Sequence, residues 1–148
     1  MAAVTQYEHD WRFQRLLAGG RIVGAPVVLG VAKAGLIFSG ASDTSIQPYS
    51  GDQGSSLGFP LPMACRAVKL FVAVVSNDLE DPSTVTLMKN EADTDFRVTI
   101  PAASAGTFSA SGSVDYAEGD RLQFHIVTGG TDLQSIDIAA ISLLLLSL

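Results

Sequence analysis

Residues 135–148 read Ser-Ile-Asp-Ile-Ala-Ala-Ile-Ser-Leu-Leu-Leu-Leu-Ser-Leu, and a strand built from them is apolar on both faces. Side chains alternate across a strand. Ile136, Ile138, Ala140, Leu144, Leu146 and Leu148 therefore share one side, and Ala139, Ile141, Leu143 and Leu145 share the other. A single domain core needs one such side. The second side needs another cover, since an apolar strand left open is an aggregation site. The predicted cover is a second copy of the chain, with Ile136, Ile138, Ile141, Leu143, Leu144, Leu145 and Leu146 making the contact.

The rest of the composition points the same way. A chain of 148 residues suits one domain and can bury a real core. Hydrophobic residues make up 47% of it and charged residues 16%, well under the usual ~25%. So few charges imply that part of the surface is hidden between chains. The net charge of −6 argues against nucleic acid, which needs a basic footprint, and against an anionic membrane surface. The terminal apolar run is too short for a spanning helix, which takes about 20 residues, and a lone strand cannot cross lipid unless a barrel closes. The first ten residues lack the basic region and apolar stretch of a secretory leader, so synthesis in a cytoplasm is expected. Cys65 is the sole cysteine and sits in an apolar stretch. It forms no internal disulfide and reads as a small core hydrophobe, since a nucleophile would need a paired histidine nearby.

Two organisational units follow. Residues 1–20 form an N-terminal arm or short helix, with Tyr7, Trp11, Phe13, Leu16 and Leu17 along a rough helical face and Gly19-Gly20 as its stop. The arm either caps its own domain or anchors on a partner through these five side chains. Residues 21–148 form the β domain. Candidate strands cover 25–31 and 35–39, and a Ser-, Gly- and Asp-rich stretch over 42–56 reads as a long loop. Beyond it, strands are expected over 65–75, 84–89, 96–100, 112–116, 122–126 and the terminal run, with turns at 77–82, 90–93, 117–120 and 128–131. Short alternating strands at this spacing predict an all-β chain, an antiparallel β-sandwich or jelly roll.

The segments Thr84-Val85-Thr86-Leu87-Met88-Lys89-Asn90, Phe96-Arg97-Val98-Thr99-Ile100-Pro101-Ala102, Gly106-Thr107-Phe108 and Ser113-Val114-Asp115-Tyr116-Ala117-Glu118-Gly119-Asp120-Arg121-Leu122 resemble the second half of C1q/TNF-like jelly rolls. Domains of that kind occur in bacteriophage virion proteins, including capsid decoration (cement) proteins and fibre heads. The resemblance covers about half the chain, from Cys65 onward. It implies a homotrimer with the last strand near the three-fold axis. For a decoration protein it implies a place on the capsid surface of the virion, with the major capsid protein as partner. A receptor- or glycan-binding knob is the alternative use of the same fold. No collagen-like stalk is present.

Nothing in the sequence assembles a catalytic constellation, so an enzyme is not expected, nor a cofactor. Asn90, Glu91, Asp93 and Asp95 offer oxygen ligands but lack the Gly and distal Glu of a calcium loop, and they read as a solvated hairpin turn, as do Asp78, Glu80 and Asp81 in theirs. His9 and His125 have no Cys or His at zinc spacing. No Gly-x-Ser-x-Gly elbow supports a Ser-His-Asp triad, and the glycines around Asp52 lack the lysine of a phosphate loop. His125 is expected to face outward, opposite in phase to Phe124. Trp11, Tyr49 and Tyr116 are weighed as a sugar-binding surface and read instead as half-buried anchors.

Overall fold

The computed structural model describes residues 26–48 and 58–148. The N-terminal arm, with Tyr7, Trp11, Phe13, Leu16 and Leu17, lies outside the described residues, as does the bulk of the expected loop. The described chain is all-β. Nine strands follow in order: β1 (Pro26–Ser39), β2 (Ser42–Ile46), β3 (Phe59–Pro60), β4 (Cys65–Asn77), β5 (Ser83–Lys89), β6 (Ala92–Ile100), β7 (Gly106–Tyr116), β8 (Arg121–Thr128) and β9 (Ser135–Ser147).

They form two antiparallel sheets packed face to face. One sheet, A, has the order β1-β9-β4-β7; the other, B, has the order β2-β8-β5-β6, with β3 pairing β8 beyond the end of β2. Among the described strands only β5 and β6 are both chain neighbours and hydrogen-bonded partners. Their turn, Asn90-Glu91, has φ of 51° and 69°, the left-handed pair that matches strand twist in a two-residue hairpin. The other connections between consecutive long strands cross from one sheet to the other.

The core lies between the sheets and is filled by alternating side chains. Leu70 and Val72 of β4, Val85 and Leu87 of β5, Phe96, Val98 and Ile100 of β6, and Leu122, Phe124 and Ile126 of β8 are all buried. The inward phase of Phe124, opposite to His125, is the one the sequence predicts. Gly112 on β7 faces inward, where a Cβ would stand 2.7 Å from the Phe96 ring. Its missing side chain lets that ring pack directly against the strand.

Three local expectations are corrected. The two candidate strands over 25–31 and 35–39 are one strand, β1. Ser42–Ile46, read as loop, is β2: only Ile46 of its side chains is fully buried, so a hydrophobic pattern is nearly absent. Finally, β9 does not present two apolar faces of equal standing. A β-bulge at Ala139-Ala140 shifts the register, with Ala73 opposite Ala140 but Val74 opposite Ile138. A bulge adds one residue and so changes the phase of alternation. Ile136 and Ile138 on one side of the bulge, and Ile141, Leu143 and Leu145 on the other, all point into the same core and are at most 3% exposed.

Candidate functional site

Self-association needs side chains that the single chain leaves accessible. Of the seven β9 residues predicted to make a trimer contact, Ile136, Ile138, Ile141, Leu143 and Leu145 are spent on the chain's own core. They are corrected to core residues, because the bulge turns them inward. Leu144 and Leu146 face outward and are half-buried.

Leu144 and Leu146 sit on the outer face of sheet A, which the backbone register resolves into rows. Pro26, Leu146, Arg66 and Asp115 form one row; Val28 and Leu144 stand beside Lys69 in the next; Ser142 and Phe71 follow; Ile37 lies opposite Asp137 further on. Val28 is 69% exposed, Val75 63%, Ile37 54% and Phe71 37%. The face is thus apolar over β1 and β9 and the adjoining part of β4. It grades to polar at β7, where Thr107, Ser109, Ser111 and Asp115 point outward. The few charges are tied down. Arg66 holds Asp115 through two parallel bonds, Nε–Oδ1 at 2.6 Å and Nη2–Oδ2 at 2.9 Å, and that hydrogen bonding pulls the Asp115 carboxyl below its ordinary pKa. The Lys69 ammonium lies 5.1 Å from the centre of the Phe71 ring. Asp137, on the same face, has one buried carboxylate oxygen, Oδ1, without a hydrogen-bond partner among the described residues.

The acidic turns resolve into separate ties. Asn90 donates through Nδ2 to Asp120 at 2.9 Å and accepts from the Arg121 amide at 2.8 Å. Glu91 pairs with Arg121 at 2.9 Å, and Asp93 turns to His125. In the other loop, Asp78 accepts from the Ser135 amide. The candidate oxygen ligands thus point at different partners. Lys89 bonds the Asp115 carbonyl at 2.8 Å and pairs with Asp120 at 3.2 Å. Hydrogen bonds from Asn90, from the Ala117 amide and from Lys89 hold Asp120 at a pKa of about 2. Tyr116 is buried and donates to the Met88 carbonyl at 3.0 Å. Burial first, then the neighbouring Cys65 and Asp120, push its phenol upward. It is a core tyrosine and offers no sugar platform. Burial likewise pushes the Cys65 thiol up, with Asp115 adding to it, which keeps it an unreactive thiol.

One arrangement escaped the sequence reading. On the outer face of sheet B, the His125 ring stands between two carboxylates: Nε2 lies 2.6 Å from Asp43 on β2, and Nδ1 lies 2.8 and 2.9 Å from the two oxygens of Asp93 on β6. Alternation predicts that His125 faces outward, as it does. Nothing in the spacing of positions 43, 93 and 125 joins them, and two of the three fell in segments read as loop and turn. Both ring nitrogens are occupied by carboxylates, so neither is left to activate a serine hydroxyl as a triad requires.

Two concavities lie among the described residues. A polar groove of about 450 Å³ runs between the edges of β6 and β7, lined by residues including Asp95, Arg97, Ser111 and Ser113. An apolar pocket of about 150 Å³ lies at the end of the sandwich, lined by residues including Leu29, Phe59, Leu61, Met63 and Leu145. Comparison with models of known protein families gives no match, and comparison with curated proteins gives none either.

Proposed function

We propose that the chain is a structural virion protein: a capsid decoration (cement) protein with a jelly-roll fold that assembles as a homotrimer on a phage head and stabilises the shell by bridging major capsid subunits. The observation that carries this reading is the outer face of sheet A. Val28, Ile37, Phe71 and Val75 are exposed there beside Leu144 and Leu146, and apolar side chains gathered on one sheet face favour an interaction surface. The alternation of consecutive strands between sheets, with β9 inside sheet A, supports the jelly-roll winding, and the resemblance of residues 84–122 to C1q/TNF-like domains supports the class. The mechanism is burial without chemistry: a stable interface takes about 1,600 Å² in total, and a trimer seated on several shell subunits can exceed that.

The test has two arms. Light scattering on the purified chain should give a trimer, and Leu144→Asp should give monomers that keep the β-sheet circular dichroism spectrum. Added to capsids stripped of their decoration, the wild-type chain should rebind and raise the temperature at which they rupture. A monomeric wild type, or capsids that neither bind it nor gain stability, would overturn the reading. The β6–β7 groove, with its hydroxyls and charges, favours the glycan-binding knob as the second reading, and binding on a glycan panel without capsid binding would select it.

A further inference from the structure

The Asp43–His125–Asp93 cluster has no part in the apolar face of sheet A, and its geometry demands an account. A neutral imidazole carries one N–H, so it can donate to one carboxylate only. Here both nitrogens are within 2.6–2.9 Å of carboxylate oxygens, an arrangement satisfied on both sides only by imidazolium, with two N–H donors. The cluster ties the neighbouring strands β2 and β8 to β6, which does not pair with either. Asp43 is on β2, the edge of sheet B; His125 is on β8; Asp93 is on β6, two strands further across. The strand at risk is β2. It is five residues long, pairs among the described residues with β8 on one side, and sinks one side chain, Ile46, fully into the core. Its start is held by Thr128, whose hydroxyl donates to the Gly40 carbonyl at 2.6 Å and accepts from the Ser42 amide at 3.0 Å. Among the described residues, the side-chain bond of β2 that reaches across the sheet is the one from Asp43 to His125.

We propose that Asp43, His125 and Asp93 form a pH-sensitive latch that holds edge strand β2 on sheet B while His125 keeps its proton and loosens it when the proton leaves. The charges around the ring fit this. From β2 it meets Asp43; from β6, Asp93, with Asp95 and Arg97 further along the strand; from its own strand, Arg121, which is engaged with Glu91. At the paired position on β5 stands the uncharged Thr86, and Lys89 of that strand is turned to Asp115 and Asp120. Burial is the largest single influence on His125 and lowers its pKa, but the hydrogen bonds and charges of Asp43 and Asp93 together outweigh it, leaving the pKa raised. A group whose folded pKa is raised contributes stability that is fully present below its unfolded value, near 6.5, and is lost as pH rises through the folded one. When the proton leaves, one carboxylate faces a lone pair. Asp43, 78% exposed against 48% for Asp93, is the one that water can take, and Asp93 keeps its place through two oxygens.

The experiment measures amide hydrogen exchange in the full chain, with intrinsic pH effects divided out, well below and well above the His125 midpoint located from its ring proton resonances. Protection of the β2 amides that pair with β8 should fall about two- to fivefold across the midpoint, the range for one exposed ion pair, while central β4 amides hold constant. In His125→Gln the β2 protection should stay at its high-pH level throughout. Equal β2 protection on both sides of the midpoint, a pH effect that persists in His125→Gln, or a His125 midpoint at or below 6.5 would each overturn the latch.

Discussion

Leu143→Ala should cost the fold about 3–4 kcal/mol, and Leu144→Ala, one position on, about 1 kcal/mol or less. The difference follows from the bulge at Ala139-Ala140, which decides which of two adjacent leucines enters the core. Leu143 is fully buried between Leu29 on β1 and Leu70 on β4, its register partners. Truncation to alanine removes the equivalent of roughly three methylenes, about 2.4 kcal/mol at ~0.8 kcal/mol each. The surroundings are strand backbones pinned on both sides, so the space collapses only in part, and the cavity adds about another 1 kcal/mol. Leu144 lies between Val28 and Lys69 on the outer face and is already half in water. The assay is urea denaturation followed by circular dichroism, repeated over a range of protein concentrations. The Leu143 loss should be present at every concentration. The Leu144 variant should differ from wild type chiefly in how its midpoint depends on concentration, because a trimer's stability is tied to mass action. Equal losses for the two variants, or a larger loss for Leu144, would refute the assigned phase of β9 and with it the separation of core from contact face.

Gly112→Ala should lower stability by about 1–3 kcal/mol by denaturation, the cost of overpacking, because its new Cβ meets the Phe96 ring. Asp120, held at about 2 against 3.8, has a depressed pKa, so its contribution is present above the unfolded value and is lost as pH falls from about 4 toward 2. Asp120→Asn should therefore flatten the denaturation midpoint against pH in that window. Tyr116→Phe should cost about 1 kcal/mol in the same assay, through loss of the bond to the Met88 carbonyl. Deleting residues 1–17 should leave the β-sheet spectrum intact and weaken capsid rebinding, and unchanged affinity would return the arm to the role of a local cap.

The regular half of the fold was legible because its strands carry a clean two-residue period. Phe96, Val98 and Ile100, like Leu122, Phe124 and Ile126, announce both strand and inward face. β2 was not legible because four of its five residues are Ser, Asp or Thr. Its place is fixed by backbone pairing to β8 and by polar ties, which leave no hydrophobic period. β9 was legible as a strand and misread in phase. Ile136, Ile138, Ile141, Leu143 and Leu145 step by two, three, two and two, and the step of three marks a bulge. The outward Leu144 and Leu146 fill the gaps and hide that step. The Asp43–His125–Asp93 cluster lay beyond sequence reading for another reason: its members come together only through the pairing of β2 and β5 with β8 and of β6 with β5, which no local pattern encodes.

The position of β9 also governs when the fold can exist at all. It is the last strand in chain order, yet it lies inside sheet A, with Pro26 of β1 opposite Leu146 on one side and β4 on the other. A growing chain in which β1 to β8 have emerged but β9 has not therefore lacks the described partner of β1 and holds β4 with one flank open. Its hydrophobic side chains from Leu29 to Val74 would then wait in the exit region of the ribosome for the partner that completes them. Pairings between such distant segments form slowly, and unpaired apolar strands are hazardous while they wait. Nascent chains stalled before residue 135 should therefore be degraded by an added protease, and acquire resistance only once the last thirteen-residue strand has cleared the tunnel.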